Sequence, residues 1–285
     1  MQLAFVQIAN ALALASLLTI LASGLALIYG LRDVMNFGHG ALYMLGAYIG
    51  YSAAAITNFW VALLVTPVAM AAIGFALEYL VFRPLHRRSP IDLALLTFGL
   101  SLIIGQAIVY IYGGTARTID APAALSGSIR LLGAPYPLYR LFLIVFGIGA
   151  CLLLAACLRW TRSGMYIRAV SLHPDVARMM GVNTDRLSLL VVCLSTATAG
   201  AAGVLAGPYL SIDPGMGQAI LISCLIIVVV GGVGSIGGAV AASVLYGFIQ
   251  VVGSVVFPAA AVLAPYVLLI VVLMWRPQGL GGGRI

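Results

Sequence analysis

The stretch FVQIANALALASLLTILASGLALIYGL, residues 5–31, carries no charged side chain over its whole length. A helix needs about 20 consecutive apolar residues to cross the hydrocarbon core of a bilayer. The stretch is long enough for such a span. It is too long for the apolar part of a cleaved secretory leader, and no Lys or Arg precedes it. We therefore expect these residues to persist as a membrane-spanning helix.

The rest of the chain has the same composition. Of its 285 residues, 63% are hydrophobic and only 7% are charged, whereas soluble domains average about 25% charged residues. This excludes a soluble globular enzyme and a disordered chain. It also excludes a soluble domain on one apolar anchor, because apolar residues run from end to end. We expect one membrane domain over residues 1–285.

The positive charge comes from arginine alone, because the 14 basic residues include no Lys. A phosphate-binding loop of the Gly-x-x-x-x-Gly-Lys-Ser/Thr type is therefore excluded, and this chain does not hydrolyse nucleotide through such a loop. The net charge of +7 is typical of a membrane protein with basic cytoplasmic loops. We expect no nucleic-acid partner.

Nine apolar segments are separated by short breaks that contain Arg, Asp, Pro and Gly. Their lengths favour helices over barrel strands, so the sequence predicts an all-α polytopic membrane protein with eight or nine transmembrane helices. Residues 218–231 and 260–275 are short, and the glycines of 231–238 interrupt a helix, which indicates broken or re-entrant segments. The segments are 5–31, 38–56, 61–82, 92–112, 138–158, 187–207, 218–231, 238–257 and 260–275.

The arginines predict the orientation. If the loop 159–186 faces the cytoplasm, eleven of the 14 arginines, among them Arg87, Arg178 and Arg284, fall on that side, and only Arg117, Arg130 and Arg140 fall outside. Cytoplasmic loops of membrane proteins carry the excess of basic residues. We expect an external N-terminus and a cytoplasmic C-terminus.

The loop 159–186 contains its own helix signals. Pro174 suits the first position of a helix, Asp175 suits its first turn and can pair with Arg178, and Gly181 suits its end. Thr184 is expected to cap the following span. The helix would carry an apolar face of Val176, Met179 and Met180. Because so short a helix is unstable alone, it must lie on the lipid surface, pack on its own chain or dock onto a cytoplasmic partner protein.

This loop resembles the cytoplasmic coupling loop of permease subunits of branched-chain amino acid ABC importers. The matching residues are Thr161, Arg162, Gly164, Arg168, Ala169, Pro174, Ala177, Gly181 and Asn183. Further marks of the family follow in order: Tyr29-Gly30, Asn36-Phe37-Gly38-His39-Gly40, Glu78 with Arg83-Pro84-Leu85, Gly231-Gly232-Val233-Gly234-Ser235, and Arg276-Pro277-Gln278-Gly279-Leu280.

The resemblance implies the permease subunit of a binding-protein-dependent ABC importer in a bacterial-type inner membrane. The implied partners are a second homologous or identical permease, two cytoplasmic ATPase subunits, a periplasmic solute-binding protein and the lipid bilayer. The implied substrates are branched-chain amino acids or a related small amino acid, amide or organic acid. No cofactor is implied. The resemblance assigns ATPase coupling to the matched loop residues with Asp175 and Arg178. We expect Val176, Met179 and Met180 to supply the buried apolar contact, and Arg162, Arg168 and Arg178 to steer the partner.

Candidate residues of the translocation pathway are Asn36, His39, Gly40 and Ser235. From pattern alone, the first three also suit a polar helix turn at the membrane interface. Arg32 and Asp33 are expected to form a local ion pair or a cap, and Glu78 to pair with Arg83 or Arg87.

Other functions lack candidate residues. No acidic residue falls in the middle of a span, so a stand-alone secondary transporter has no carboxylate relay. A membrane-embedded enzyme needs a clustered nucleophile, base or metal ligands, and the four cysteines and three histidines are scattered. We expect no catalytic and no metal site. A non-transport membrane scaffold stays as an alternative.

Overall fold

The computed structural model describes residues 2–85, 88–131 and 133–282. Arg87 and Arg284, which the sequence places on the cytoplasmic side, lie outside these residues. Within them, each of the nine predicted apolar segments coincides with a helix. These helices are α1 (Gln2–Arg32), α2 (His39–Ile56), α3 (Phe59–Leu77), α4 (Pro90–Tyr112), α5 (Leu138–Trp160), α8 (Thr184–Ala206), α9 (Met216–Gly231), α10 (Ile236–Val256) and α11 (Ala264–Trp275), with α6 (Arg162–Leu172) and α7 (Pro174–Met179) between α5 and α8.

Six helices are long and apolar enough to cross a membrane, and α9 and α11 are shorter apolar helices. α3 continues into a π-helical turn, Glu78–Phe82, which lengthens that span. These helices confirm the predicted all-α polytopic fold. The remaining elements are two 3₁₀ turns and a small antiparallel hairpin of β1 (Ser128–Leu131) and β2 (Ala134–Pro137) between α4 and α5. The sequence analysis missed this hairpin.

Helices α1 and α8 form the centre of the bundle. In the most apolar window of α1, 89% of the residues are buried, and in that of α8, 61% are buried. α1 packs against α5, α8 and α10, while α8 also packs against α2 and α3. By contrast, only 11% of the corresponding window of α4 is buried. α4 therefore presents most of its apolar surface outward, toward lipid or a partner chain.

Two breaks divide the bundle. After α1 ends, residues 33–38 are non-helical, and α2 begins at His39, whose Nε2 lies 3.0 Å from the carbonyl oxygen of Leu21. Because Leu21 lies well inside α1, α2 starts within the bundle rather than at its surface. The second break, residues 232–235, separates α9 from α10. The C-terminal tail covers it, with the N–H groups of Leu280 and Gly281 donating to the carbonyls of Val230 and Gly231 at 2.8 Å.

The two ends of α1 contact Arg140 and the loop that contains α6 and α7. Near its start, Asn10 Oδ1 accepts from Arg140 Nη1 at 2.5 Å. Near its end, Leu27 and Ile28 share a buried cluster with Val170 of α6 and Ala177 of α7. Arg140 and the loop containing α6 and α7 therefore lie at opposite ends of the bundle, as the arginine count predicts.

Candidate functional site

The loop between α5 and α8 folds into two helices, of which the sequence analysis identified only the second. Thr161 begins α6 by accepting a hydrogen bond from the N–H of Gly164 at 3.0 Å. Ile167, Val170 and Ser171 are buried against the bundle. The sequence offered two signals for α6: the capping Thr161, and residues of the buried face that recur three and four positions after Ile167.

Helix α7 has the local structure that its sequence predicts. Pro174 is its first residue, and Arg178 Nη1 lies 3.5 Å from Asp175 Oδ1. Gly181 ends the turn with φ +83°, a conformation that residues with a Cβ rarely adopt. The next cap differs from the prediction. Asn183, not Thr184, caps α8, because its Oδ1 accepts from the N–H of Arg186 at 3.0 Å and Thr184 is already helical.

The two faces of α7 differ sharply. Ala177 is 5% exposed and packs on the bundle, whereas Met179 is 79% and Met180 is 80% exposed. Val176 is also exposed. The apolar face of the helix is therefore available to a partner. Ala177 lies on the opposite side and attaches α7 to its own chain.

The remaining predicted coupling residues lie in α6. Arg162 and Ala169 are exposed. Gly164 packs directly against the backbone of Leu158, whose carbonyl accepts a hydrogen bond from the Arg168 guanidinium. Arg168 therefore holds α6 to the end of α5. Its expected role in steering a partner stays a prediction.

Arg32 and Glu78 form a buried ion pair beneath this loop. Arg32 also donates from Nε to Ser188 Oγ at 2.7 Å, so the pair joins α1, α3 and α8. Of the two expectations for Arg32 and Asp33, the ion pair is replaced by this pair of Arg32 with Glu78. The predicted pairing of Glu78 with Arg83 is also wrong: Arg83 instead lies 3.5 Å from the carboxylate of Asp185.

Asn36, His39, Gly40 and Ser235 are not brought together around one cavity. Asn36 is buried, and its Oδ1 accepts from the N–H of Gly38 at 3.0 Å. His39 is fully buried beside α1. Ser235 lies in the other break and caps α10 through the N–H of Gly238 at 3.1 Å.

A groove of about 240 Å³ lies where the beginnings of α2 and α9 meet the middle of α4. None of its lining residues is charged. They are Phe37, Ala41, Met44, Ser101, Leu102, Gly105, Gln106, Val109, Pro214, Gly217, Gln218 and Leu221. Gly40 lies against Gly217, so that a Cβ at either position would meet the other backbone. This close approach brings the two helix beginnings together.

The groove combines apolar walls with few polar groups. Ser101, Gln106 and Gln218 are the polar side chains that line it. Neither α2 nor α9 has a side-chain cap from the residue before it, because these residues are Gly38 and Gly215. At the start of α9, however, Asp213 Oδ1 accepts from the N–H of Gly215 at 2.8 Å. Uncapped N–H groups at a helix beginning attract carboxylates. In the described part of the chain, no group of three or more His, Cys, Asp or Glu residues is arranged to hold a metal.

Comparison with known proteins gives a consistent result. A family model described as "Branched-chain amino acid transport system / permease component" matches residues 7–274. The high-affinity branched-chain amino acid transport system permease protein BraD of Pseudomonas aeruginosa is 26% identical, covering 97% of this chain and 95% of its own length. A probable branched-chain amino acid transport permease protein LivH of Methanocaldococcus jannaschii is 30% identical, covering 84% of this chain and 77% of its own.

Among solved structures, the fold is similar to PsaBC from Streptococcus pneumoniae in complex with Fab. The TM-score is 0.52 at 15% sequence identity, and the match covers 94% of this chain and 91% of that one. At this identity the likeness concerns the fold alone.

Proposed function

Since this chain belongs to the family of permease components of branched-chain amino acid transport systems, we propose that it provides the membrane pathway for branched-chain amino acids or a related small amino acid, amide or organic acid. It is a multi-pass permease subunit of an ABC transporter and not an enzyme. Membership of this family decides against the stand-alone secondary transporter and the non-transport scaffold.

The proposal for the pathway rests on the uncharged groove at the beginnings of α2 and α9. Its apolar walls suit an aliphatic side chain, and the uncapped beginning of α2 suits a carboxylate. Gln106 and Gln218 offer amide groups that can form hydrogen bonds with a substrate. They do so without placing a charged side chain in the membrane, which would be costly. Of the candidates proposed from sequence, Gly40 lies beside this groove through Gly217. In this arrangement, Asn36, His39 and Ser235 stabilise the two non-helical breaks, before α2 and before α10.

The proposed assembly contains a second homologous or identical permease, two cytoplasmic ATPase subunits and a periplasmic solute-binding protein. The outward surface of α4, which also lines the groove, is the side on which a second permease would enclose the pathway. The exposed apolar face of α7 is the contact for an ATPase. We place the protein in the cytoplasmic membrane of a bacterial-type cell, with α7 and the C-terminus in the cytoplasm and the N-terminus outside.

Uptake by the reconstituted importer tests the pathway. We expect Gln106→Leu to lower uptake of radiolabelled leucine by about tenfold, the value of one hydrogen bond to a charged group. Gln250→Leu, which makes the same change on α10 away from the groove, is the control and should transport normally. Equal uptake by both variants would place the pathway elsewhere.

Assembly with the ATPase tests the contact at α7. Burying an exposed methionine contributes about 1.5–3 kcal/mol, so the double variant Met179→Ala/Met180→Ala should lose at least about 3 kcal/mol and weaken assembly by roughly 100-fold or more. Met274→Ala is the control, because Met274 is 79% exposed, as is Met179, but belongs to α11. If the double variant assembles with wild-type affinity, α7 is not the contact.

Labelling from outside the cell tests the orientation. In a cysteine-free background, a membrane-impermeant reagent should label Arg130→Cys, between α4 and α5, and not Arg178→Cys. The reverse pattern would invert the proposed topology.

A further inference from the structure

Gly105 lies inside α4, on the face of that helix that lines the groove at α2 and α9. The other α4 residues that line the groove are Ser101, Leu102, Gln106 and Val109. Their spacing of three to five positions places all five residues on one side of the helix. Gly105 is the central residue of the five and the only one without a side chain. The groove is therefore least filled from α4 at this position.

Neither the backbone nor the packing of the bundle requires a glycine at position 105. Gly105 is helical and is not among the glycines with positive φ. In the described part of the chain, the nearest atom that a Cβ would meet is the Cε of Met44, at 3.9 Å, an ordinary contact distance. By contrast, a Cβ at Gly40 would overlap the backbone of Gly217. Because glycine weakens a helix relative to alanine, the space that Gly105 leaves is the feature to explain.

Met44 of α2 forms the wall of the groove opposite Gly105. It lines the groove, but it is only 2% exposed and belongs to the main buried cluster of the bundle. A methionine side chain is flexible in isolation, but a close-packed core leaves few voids into which it could withdraw. A methyl group added at position 105 would therefore narrow the groove rather than displace Met44.

We propose that Gly105 sets the largest aliphatic side chain that the groove admits. The groove has a volume of about 240 Å³, below the range of ~300–1,000 Å³ that is usual for small-molecule sites, so one added methyl group takes up space that a substrate needs. The end of a leucine-sized side chain occupies the gap between Gly105 and Met44. The inference rests on the proposed function, because it assigns a size limit to the proposed pathway.

The expected effect follows from matching carbon atoms. One methylene group in a hydrophobic site changes discrimination between substrates by about 10–200-fold. Gly105→Ala adds one carbon to the wall, and valine has one carbon fewer than leucine. The variant should therefore lower leucine uptake by about tenfold, the lower end of that range, while valine uptake stays close to that of the wild type. Gly105→Leu fills the gap and should stop the uptake of both amino acids.

Uptake of radiolabelled leucine and valine by the reconstituted importer tests this inference. The same solute-binding protein is used throughout, with each amino acid at saturation, so a change in the ratio of leucine to valine uptake comes from the permease. Gly99→Ala is the matched control, because it makes the same change on the same helix. A Cβ at Gly99 meets nothing within 4 Å in the described part of the chain, and Gly99 does not line the groove. Its uptake ratio should equal that of the wild type.

The outcomes separate this inference from the proposed function when Gln106→Leu is measured in parallel. If Gln106→Leu lowers uptake but Gly105→Ala leaves the ratio unchanged, the groove is the pathway and the inference alone is refuted. If neither variant alters uptake, the pathway lies elsewhere and both proposals are wrong. If Gly105→Ala reduces both uptakes equally and also weakens assembly with the second permease, Gly105 serves a contact between helices and does not select by size.

Discussion

Replacing Glu78 by Ala should destabilise the protein far more than an ordinary ion-pair deletion. The side chains of Arg32 and Glu78 are only 9% and 5% exposed, so the variant leaves a guanidinium buried without its counter-charge. Breaking a buried pair in this way costs about 3–5 kcal/mol. The hydrogen bond from Arg32 to Ser188 offsets only part of this loss. Reversible unfolding in mixed micelles measures the change in free energy.

The pair of Arg83 and Asp185 provides an exposed control nearby, because it joins the residue after the same π-helical turn to α8. Its side chains are 57% and 53% exposed and lie 3.5 Å apart, so Asp185→Ala should cost only about 0–1 kcal/mol. The double variant Arg32→Met/Glu78→Leu should be more stable than Glu78→Ala, because it leaves no unpaired charge. If Glu78→Ala and Asp185→Ala destabilise the protein equally, burial does not determine the strength of these pairs.

Three further substitutions have clear expected outcomes. Gly40→Val should prevent α2 from meeting Gly217, and leucine uptake should be lost although the protein reaches the membrane; normal uptake would show that the close approach is dispensable. Ala177→Glu should place a charge in the buried cluster, so proteolysis should cleave the loop faster than in Val176→Glu, whose side chain is exposed. Asn183→Ala should cost about 1 kcal/mol of stability by removing the cap of α8, and Asn183→Asp should retain it; equal unfolding free energies would contradict the cap.

The sequence was sufficient to predict the helices because a bilayer demands long apolar segments and because their breaks contain Gly, Pro and Arg. It also predicted α7, where Pro174 and Gly181 mark both ends. Local signals of this kind need no knowledge of distant residues.

Predictions that depended on contacts between distant segments were wrong or incomplete. Glu78 has Arg83 close in sequence, but its partner is Arg32 on α1, since the depth at which α1 ends is a property of the packed bundle. The burial of Ala177 was not predicted, because a six-residue helix has too few turns to define a buried side by periodicity. The groove also escaped prediction, because it forms only where the beginnings of two helices from different parts of the chain meet.

The tail over the break between α9 and α10 affects the order in which the protein is completed. The carbonyls of Val230 and Gly231 accept hydrogen bonds from Leu280 and Gly281, which the ribosome adds only after both helices have been made. Until then the two carbonyls have no tail donor. The junction therefore closes last, and a nascent chain that stops short of Leu280 leaves these carbonyls without the donors that the tail supplies.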